Sequence, residues 1–191
     1  MKTINLIKKV VRALSYSYKA FRFTTKPTLY MTLLVKDEED ILEQNLRFHK
    51  AMGVDGFIIT DNNSTDHTHD IIEKYKAKGW IKEVIYETAI NYCQKEWVDR
   101  MILLARKKYH ADWIINADAD ELWYTPLGNL KEEMKNTHNN VLKCKVISVY
   151  PEELKPFTQW DVMIKSVPDQ TRYNLSLYSI FERQNHKVAH R

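Results

Sequence analysis

Asp118, Asp120 and Glu121 are the residues of this chain best suited by type and spacing to do chemistry. They follow at once on an apolar run, Trp113–Ile115, and precede a second apolar pair, Leu122-Trp123. In an extended segment, side chains two apart point the same way and lie roughly 7 Å from each other. Asp118 and Asp120 would then face one pocket, and like charges that close call for a cation between or near them. An all-oxygen donor set suits magnesium or manganese, which keep several waters and bridge to substrate phosphates. A solvated loop or helix cap is the other reading of such a triplet. Its place directly after a charge-free run weighs toward the metal.

Stepping along the chain, acids recur where apolar runs end. Leu29–Val35 reads as a first central strand, followed by Lys36-Asp37-Glu38-Glu39-Asp40 and a helix with Ile41, Leu42, Leu46 and Phe48 inward, ended by Gly53. Glu38–Asp40 also complement the dipole of that helix, which is reason enough for them structurally. Phe57-Ile58-Ile59-Thr60 is a second strand, and Asp61 follows it immediately, where a carboxylate can accept a hydrogen bond from a ligand NH. Ser64 or Thr65 then caps a helix carrying Ile71, Ile72 and Tyr75 and stopping at Gly79; Asp66 reads as a structural first-turn acid.

Trp80–Tyr86 makes a third strand, and residues 93–109 an amphipathic helix with Trp97, Met101 and Leu104 on one row. The acid-tipped strand comes next. This βα alternation predicts an α/β fold with a mostly parallel central sheet and right-handed crossovers. Acids at the carboxyl ends of its strands sit where open α/β sheets bind ligands. After Pro126 the pattern turns to a short helix over Leu130–Met134, a strand over Val141–Tyr150 and antiparallel pieces, Leu175–Phe181 the clearest.

Length and composition bound the possibilities. The 191 residues suit one domain with a sizeable core. Cys93 and Cys144 have neither metal-ligand spacing nor disulfide density, which suits a reducing, cytoplasmic compartment. Residues 1–36 hold eight Lys or Arg and no acid, leaving 21 basic against 25 acidic side chains in the rest, so the net +4 belongs to the N-terminus. There Ile4, Ile7, Val10, Val11 and Leu14 recur at helical spacing among lysines and arginines. Residues 1–28 thus form a basic amphipathic extension, which either docks on an anionic membrane surface through residues 1–26 or packs on its own domain. Nucleic acid is disfavoured, because no recognition motif accompanies the charge. No run approaches the ~20 apolar residues of a membrane span, and no secretory signal is present. A Gly-rich phosphate loop, a Ser-His-Asp elbow and a Cys-His pair are all missing. The chain stops abruptly after Lys187-Val188-Ala189-His190-Arg191, which reads as a C-terminal truncation.

Val35-Lys36-Asp37-Glu38, Asp61-Asn62-Asn63-Ser64-Thr65-Asp66 and Asp118-Ala119-Asp120-Glu121, in that order, resemble a family 2-type glycosyltransferase with the GT-A fold. The branch resembled is the one whose Asp-x-Asp-Glu motif is followed by an aromatic. The resemblance covers about residues 29–135 and implies a GT-A-like, Rossmann-type three-layer sandwich over 29–191, with a nucleotide-binding half at 29–135 and an acceptor-side half at 136–191. It implies transfer of a sugar from a nucleoside-diphosphate sugar, commonly a UDP-sugar, to an acceptor hydroxyl of a glycan or glycolipid, with inversion. Asp61 then meets the base, Val35 with Asp37 or Glu38 lodges the nucleoside, Asp118 approaches ribose or metal-bound water, and Asp120 ligates Mn2+ or Mg2+ on the diphosphate. Arg100 either faces the phosphates or is solvated. His190 is a candidate further metal ligand on a returning strand, whereas His67 and His69 read as exposed.

The catalytic base belongs downstream, with Glu152, Glu153, Asp161 and Asp169 as candidates, none in a matching motif. Trp123, Tyr124 and Trp160 either stack on a sugar or fill the core, and Trp113 is assigned to the core. Without a Gln-x-x-Arg-Trp motif or membrane spans, single addition is expected over processive synthesis, on the inner face of a membrane and in cell-surface polysaccharide assembly. Two other readings stand beside this one: a nucleotidyltransferase of related fold, and a non-catalytic domain that binds a membrane or partner.

Overall fold

The computed structural model describes residues 26–89, 93–135, 137–146, 150–151, 159, 163–164 and 186–190. The amphipathic stretch at 3–23, the strand expected at 175–181, Trp160 and the four candidate bases lie outside the described residues. Eight strands and four helices are described. They are β1 (Leu29–Val35), α1 (Leu42–Ala51), β2 (Gly56–Asp61), α2 (Thr68–Ala77), β3 (Ile81–Tyr86), α3 (Gln94–Lys107), β4 (Trp113–Ala117), α4 (Leu130–Lys135), β5 (Val141–Lys145), β6 (Tyr150–Pro151), β7 (Met163–Ile164) and β8 (His186–His190).

The main sheet runs in the order β3-β2-β1-β4-β8-β5. β1 pairs in parallel with both β2 and β4, and β2 with β3, while β8 runs antiparallel to β4 and β5. β1 reads as a continuous apolar run because helices cover both of its faces. Its odd residues Leu29, Met31, Leu33 and Val35 enter one core with Leu42 and Leu46 of α1, Ile72 and Tyr75 of α2, and Leu130 and Met134 of α4. Tyr30, with Ile58 of β2 and Ile114 of β4, enters a second core against Met101 and Ala105 of α3. Helix, sheet and helix make the expected α/β three-layer sandwich, and Trp113 is fully buried in the first core.

Two expectations need correction. The inward face of α1 is Leu42, Asn45, Leu46 and His49, with Phe48 only half-buried; apolar spacing alone cannot foresee two buried polar side chains. The strand expected over Val141–Tyr150 ends at Lys145, with Tyr150 in a separate two-stranded pairing to Ile164. Gly53 does end α1, in the left-handed region at φ 97° that a glycine adopts without a Cβ clash.

Candidate active site

Chain order makes the site. β4 is added on the far side of β1 from β2 and β3, so the β1–β4 boundary is the switch point at which open α/β sheets leave a crevice beyond their carboxyl ends. Glu38 stands beyond β1 on one side of that crevice, and Asp118 and Asp120 beyond β4 on the other. They are close enough to interact. Burial, then Asp120, Asp40 and Asp118, push the Glu38 carboxyl up to about 7. A carboxyl held that high, with its acidic neighbours on an all-oxygen wall, is a donor set that a hard divalent cation fits. Among the described residues no three His, Cys, Asp or Glu side chains already form a metal-holding group.

The acids of β4 do not stand on an extended segment as expected. The strand ends at Ala117, and the Glu121 N–H donates to the Asp118 carbonyl at 3.1 Å, closing a four-residue turn. Sidedness survives nonetheless: Ala117 and Ala119 are buried in the core, Asp118 is half-exposed and Asp120 exposed. This turn is held from beneath by α1. Asn45 Nδ2 donates to the carbonyls of Ala119 at 2.7 Å and Glu121 at 3.0 Å, and Trp123 N–H donates to His49 Nε2 at 2.9 Å. A nitrogen that accepts there carries no proton, so His49 Nδ1 is the donor, shared between Asn45 Oδ1 at 2.9 Å and the Asn45 carbonyl at 3.0 Å. Burial holds His49 down at about 4, so it is neutral. Neither residue stood out in sequence reasoning; the only signal was two polar residues, 45 and 49, at helical spacing on the apolar side of α1.

On the other flank of β1, the loops after β1 and β2 are tied together. The Asp37 N–H donates to Ser64 Oγ at 3.0 Å, and that hydroxyl donates to Asp61 Oδ1 at 2.6 Å, joined by the Ser64 N–H at 3.0 Å. Asp37 Oδ1 in turn accepts from the Thr65 N–H at 2.7 Å. Ser64 and Thr65 therefore do not cap α2 as expected. Asp66 stands just before that helix, its carboxylate accepting from the N–H of Thr68 at 2.9 Å and from that of Glu39 at 3.0 Å. Asp37 and Asn63 adopt left-handed backbones, at φ 54° and 57°, a conformation that Asp and Asn tolerate best among non-glycine residues.

Asp61 is 4% exposed, and the hydrogen bonds it accepts among the described residues all fall on Oδ1. It floors a cavity of about 210 Å³ walled by Asn63, Ser64, His69, Tyr86, Glu87 and Thr88. His69 and Tyr86 have ring centroids 5.4 Å apart. The Tyr86 hydroxyl donates to Glu73 Oε1 at 2.7 Å, and burial with that bond raises its pKa. His69 is exposed, as its sequence reading expected, and it also lines this wall, which that reading did not foresee. His67 is exposed, paired with Asp70 at 3.0 Å.

The remaining expected residues fall differently. Arg100 lies on α3, bound to Glu87 Oε2 at 2.9 Å at the rim of the Asp61 cavity, and does not join the acids across β1. β8 lies beside β4, but the register sets His190 opposite Ile114. That is four residues, roughly 13 Å along the strand, short of Asp118. Because β8 is antiparallel, its first residue, His186, is the one carried toward the acidic edge. Tyr124 is 68% exposed, whereas Trp123 packs partly on the first core.

A Rossmann-type sheet with acids on both sides of its switch point places those acids where open α/β sheets bind ligands. The sequence model of Glycosyltransferase family 92 matches residues 32–187, and the chain belongs to that family. The glycosyltransferase part of the resemblance holds, and the family matched is 92. No curated protein matches the chain in sequence.

Similar solved structures include Staphylococcus aureus TarS 1-349, at 16% identity and a TM-score of 0.45, covering 60% of this chain and 34% of that one. A mannosyltransferase, PcManGT from Pyrobaculum calidifontis in complex with GDP-Man and Mn2+, aligns at 16% identity and 0.45, over 67% of this chain and 41% of the other. A 4-diphosphocytidyl-2C-methyl-D-erythritol synthase aligns at 15% and 0.44, over 73% and 69%. The chain thus spans about a third to two-fifths of the first two of these structures. Among the described residues, no helix is long and apolar enough to cross a membrane.

Proposed function

We propose that the chain transfers a sugar from a nucleoside-diphosphate sugar, a UDP-sugar, to an acceptor hydroxyl of a glycan or glycolipid, with Mn2+ or Mg2+. The observation that carries this reading is the meeting of Glu38, Asp118 and Asp120 across the β1–β4 boundary, where burial first and then these acids raise the Glu38 carboxyl to about 7. Beside it lies the Asp61 cavity, of a size for a nucleobase. Asp61 accepts from the base N–H through Oδ2, with Ser64 fixing its orientation through Oδ1. His69 and Tyr86 wall the ring, and the Val35–Glu38 backbone lodges the nucleoside. Asp120 is the principal cation ligand, with Asp118 toward ribose or metal-bound water. When bound, such a cation neutralises charge growing on the departing diphosphate.

Inversion, single addition and the branch with an aromatic after Asp-x-Asp-Glu go with this proposal. So does a base drawn from Glu152, Glu153, Asp161 or Asp169, to take the acceptor proton. The basic residues within 1–26 would hold the enzyme at the inner face of a membrane, where cell-surface polysaccharide is assembled; two cysteines without disulfide density, Cys93 and Cys144, suit that reducing side.

Calorimetric titration of the 191-residue chain with UDP, with and without Mn2+, is the test. Mn2+ is expected to tighten UDP binding, and Asp120→Ala to remove that gain while leaving metal-free binding alone. Equal gains in wild type and Asp120→Ala would reject the cation assignment. No binding of UDP at all would reject the enzyme reading in favour of a non-catalytic domain.

A further inference from the structure

We infer that Asn45 and His49 are positioning residues that set the geometry of the acidic turn, so that cation affinity at Asp120 depends on two side chains that never touch the cation. The inference rests on the cation reading proposed above.

Both side chains are fully buried, and an apolar pair there would cost nothing in desolvation. What they do instead is fill every polar valence in one small network. The two Asn45 Nδ2 hydrogens meet the Ala119 and Glu121 carbonyls, Oδ1 shares the His49 Nδ1–H with the Asn45 carbonyl, and His49 Nε2 takes the Trp123 N–H. Three points of one backbone stretch, residues 119, 121 and 123, are thereby pinned to one helix. Asp120 is the exposed residue between the first two. Its carbonyl neighbours fixed on both sides, its backbone has little freedom left.

The same helix begins just after Glu38, whose carbonyl accepts from the Ile41 and Leu42 N–H groups at 3.2 and 3.0 Å. One rigid element therefore indexes the two walls of the crevice against each other. Groups that orient metal-approaching carboxylates change affinity by about tenfold or more when removed.

The test uses the full chain, with UDP and Mn2+ as probes. Asn45→Asp is nearly isosteric but replaces the amide donors with oxygens facing two carbonyls; His49→Leu removes the acceptor for Trp123. The expected result is that the Mn2+-dependent gain in UDP affinity falls about tenfold in both. Metal-free UDP affinity, which reports the Asp61 cavity across β1, stays at the wild-type value. A purely structural role would lower both affinities together, and that result overturns the proposal. If Asp120→Ala loses the gain while both latch variants keep it, the latch falls alone. If Asp120→Ala keeps the gain, the cation reading falls and the latch with it. Should the variants fail to fold, amide exchange of Trp123 in wild type decides. Binding coupled through the latch must slow that exchange when Mg2+ is added to the UDP-bound protein, because coupling is reciprocal; unchanged exchange refutes it.

Discussion

Asp61→Asn separates holding the loop from reading the base. Oδ1 of Asp61 takes both bonds from Ser64, at 3.0 Å from N and 2.6 Å from Oγ. An asparagine keeps an oxygen there, so both donors stay satisfied. The loss is confined to the charge assistance in those bonds, about 1 kcal/mol, or roughly 2–4 °C in melting temperature for a chain of this size. At the other position a carboxylate oxygen becomes an NH2. Facing the N3–H of uracil, it places donor against donor, forfeiting a charge-assisted bond of about 1.5–3 kcal/mol. UDP affinity should therefore fall about 10- to 150-fold. Cytosine, whose N3 carries no hydrogen, can accept from that new NH2, so CDP should lose far less than UDP or gain. Titration calorimetry with UDP and CDP on both proteins reads the switch directly. An unchanged UDP affinity, or a parallel fall for both nucleotides, would refute Asp61 as the group that reads the base.

Acid stability should carry two opposed contributions. His49, neutral and lowered from 6.5 to about 4 by burial, contributes stability that is full above pH 6.5 and lost as pH falls toward 4, on the order of 3 kcal/mol. Once protonated, its Nε2 can no longer accept from Trp123. Glu38, raised from 4.5 to about 7, has the reverse sign: its contribution is full below pH 4.5 and lost as pH rises through 7. Urea denaturation from pH 7 to 4 should therefore show Glu38→Gln losing stability more steeply with acid than wild type, and parallel curves would contradict the Glu38 assignment. For the N-terminal stretch, the full chain should pellet with anionic liposomes and a 27–191 fragment should not; equal pelleting removes the membrane role.

Much of the architecture was legible because hydrophobic periodicity and burial have the same cause. β1 and β4 read as charge-free runs since helices press on both faces, and of the α3 row Trp97, Met101 and Leu104 the first two are buried, with Ala105 beside them and Leu104 half-buried. The acids were legible as well: Asp61 directly follows a strand, and Asp118 and Asp120 follow another. Strand ends in a βα sequence all arrive at one edge.

Sequence by itself could decide which residue types stand at those ends, because a strand must finish before polar groups can leave the core. It could not decide what each polar group would hold, since a hydrogen bond depends on a partner brought close by folding. Ser64 read as a helix cap and became the support of Asp61, 27 residues from the Asp37 amide it also serves. Asn45 and His49 lay unnoticed on an apolar face, and only the packing of α1 beneath the β4 turn, 74 residues away in each case, gave them work. His190 lay on a strand rightly seen to return, yet direction and register are fixed by pairing with β4, which carries the other end of β8 toward the acids. Local chemistry and periodicity were written in the chain; long-range pairings, which no spacing encodes, were settled by the fold.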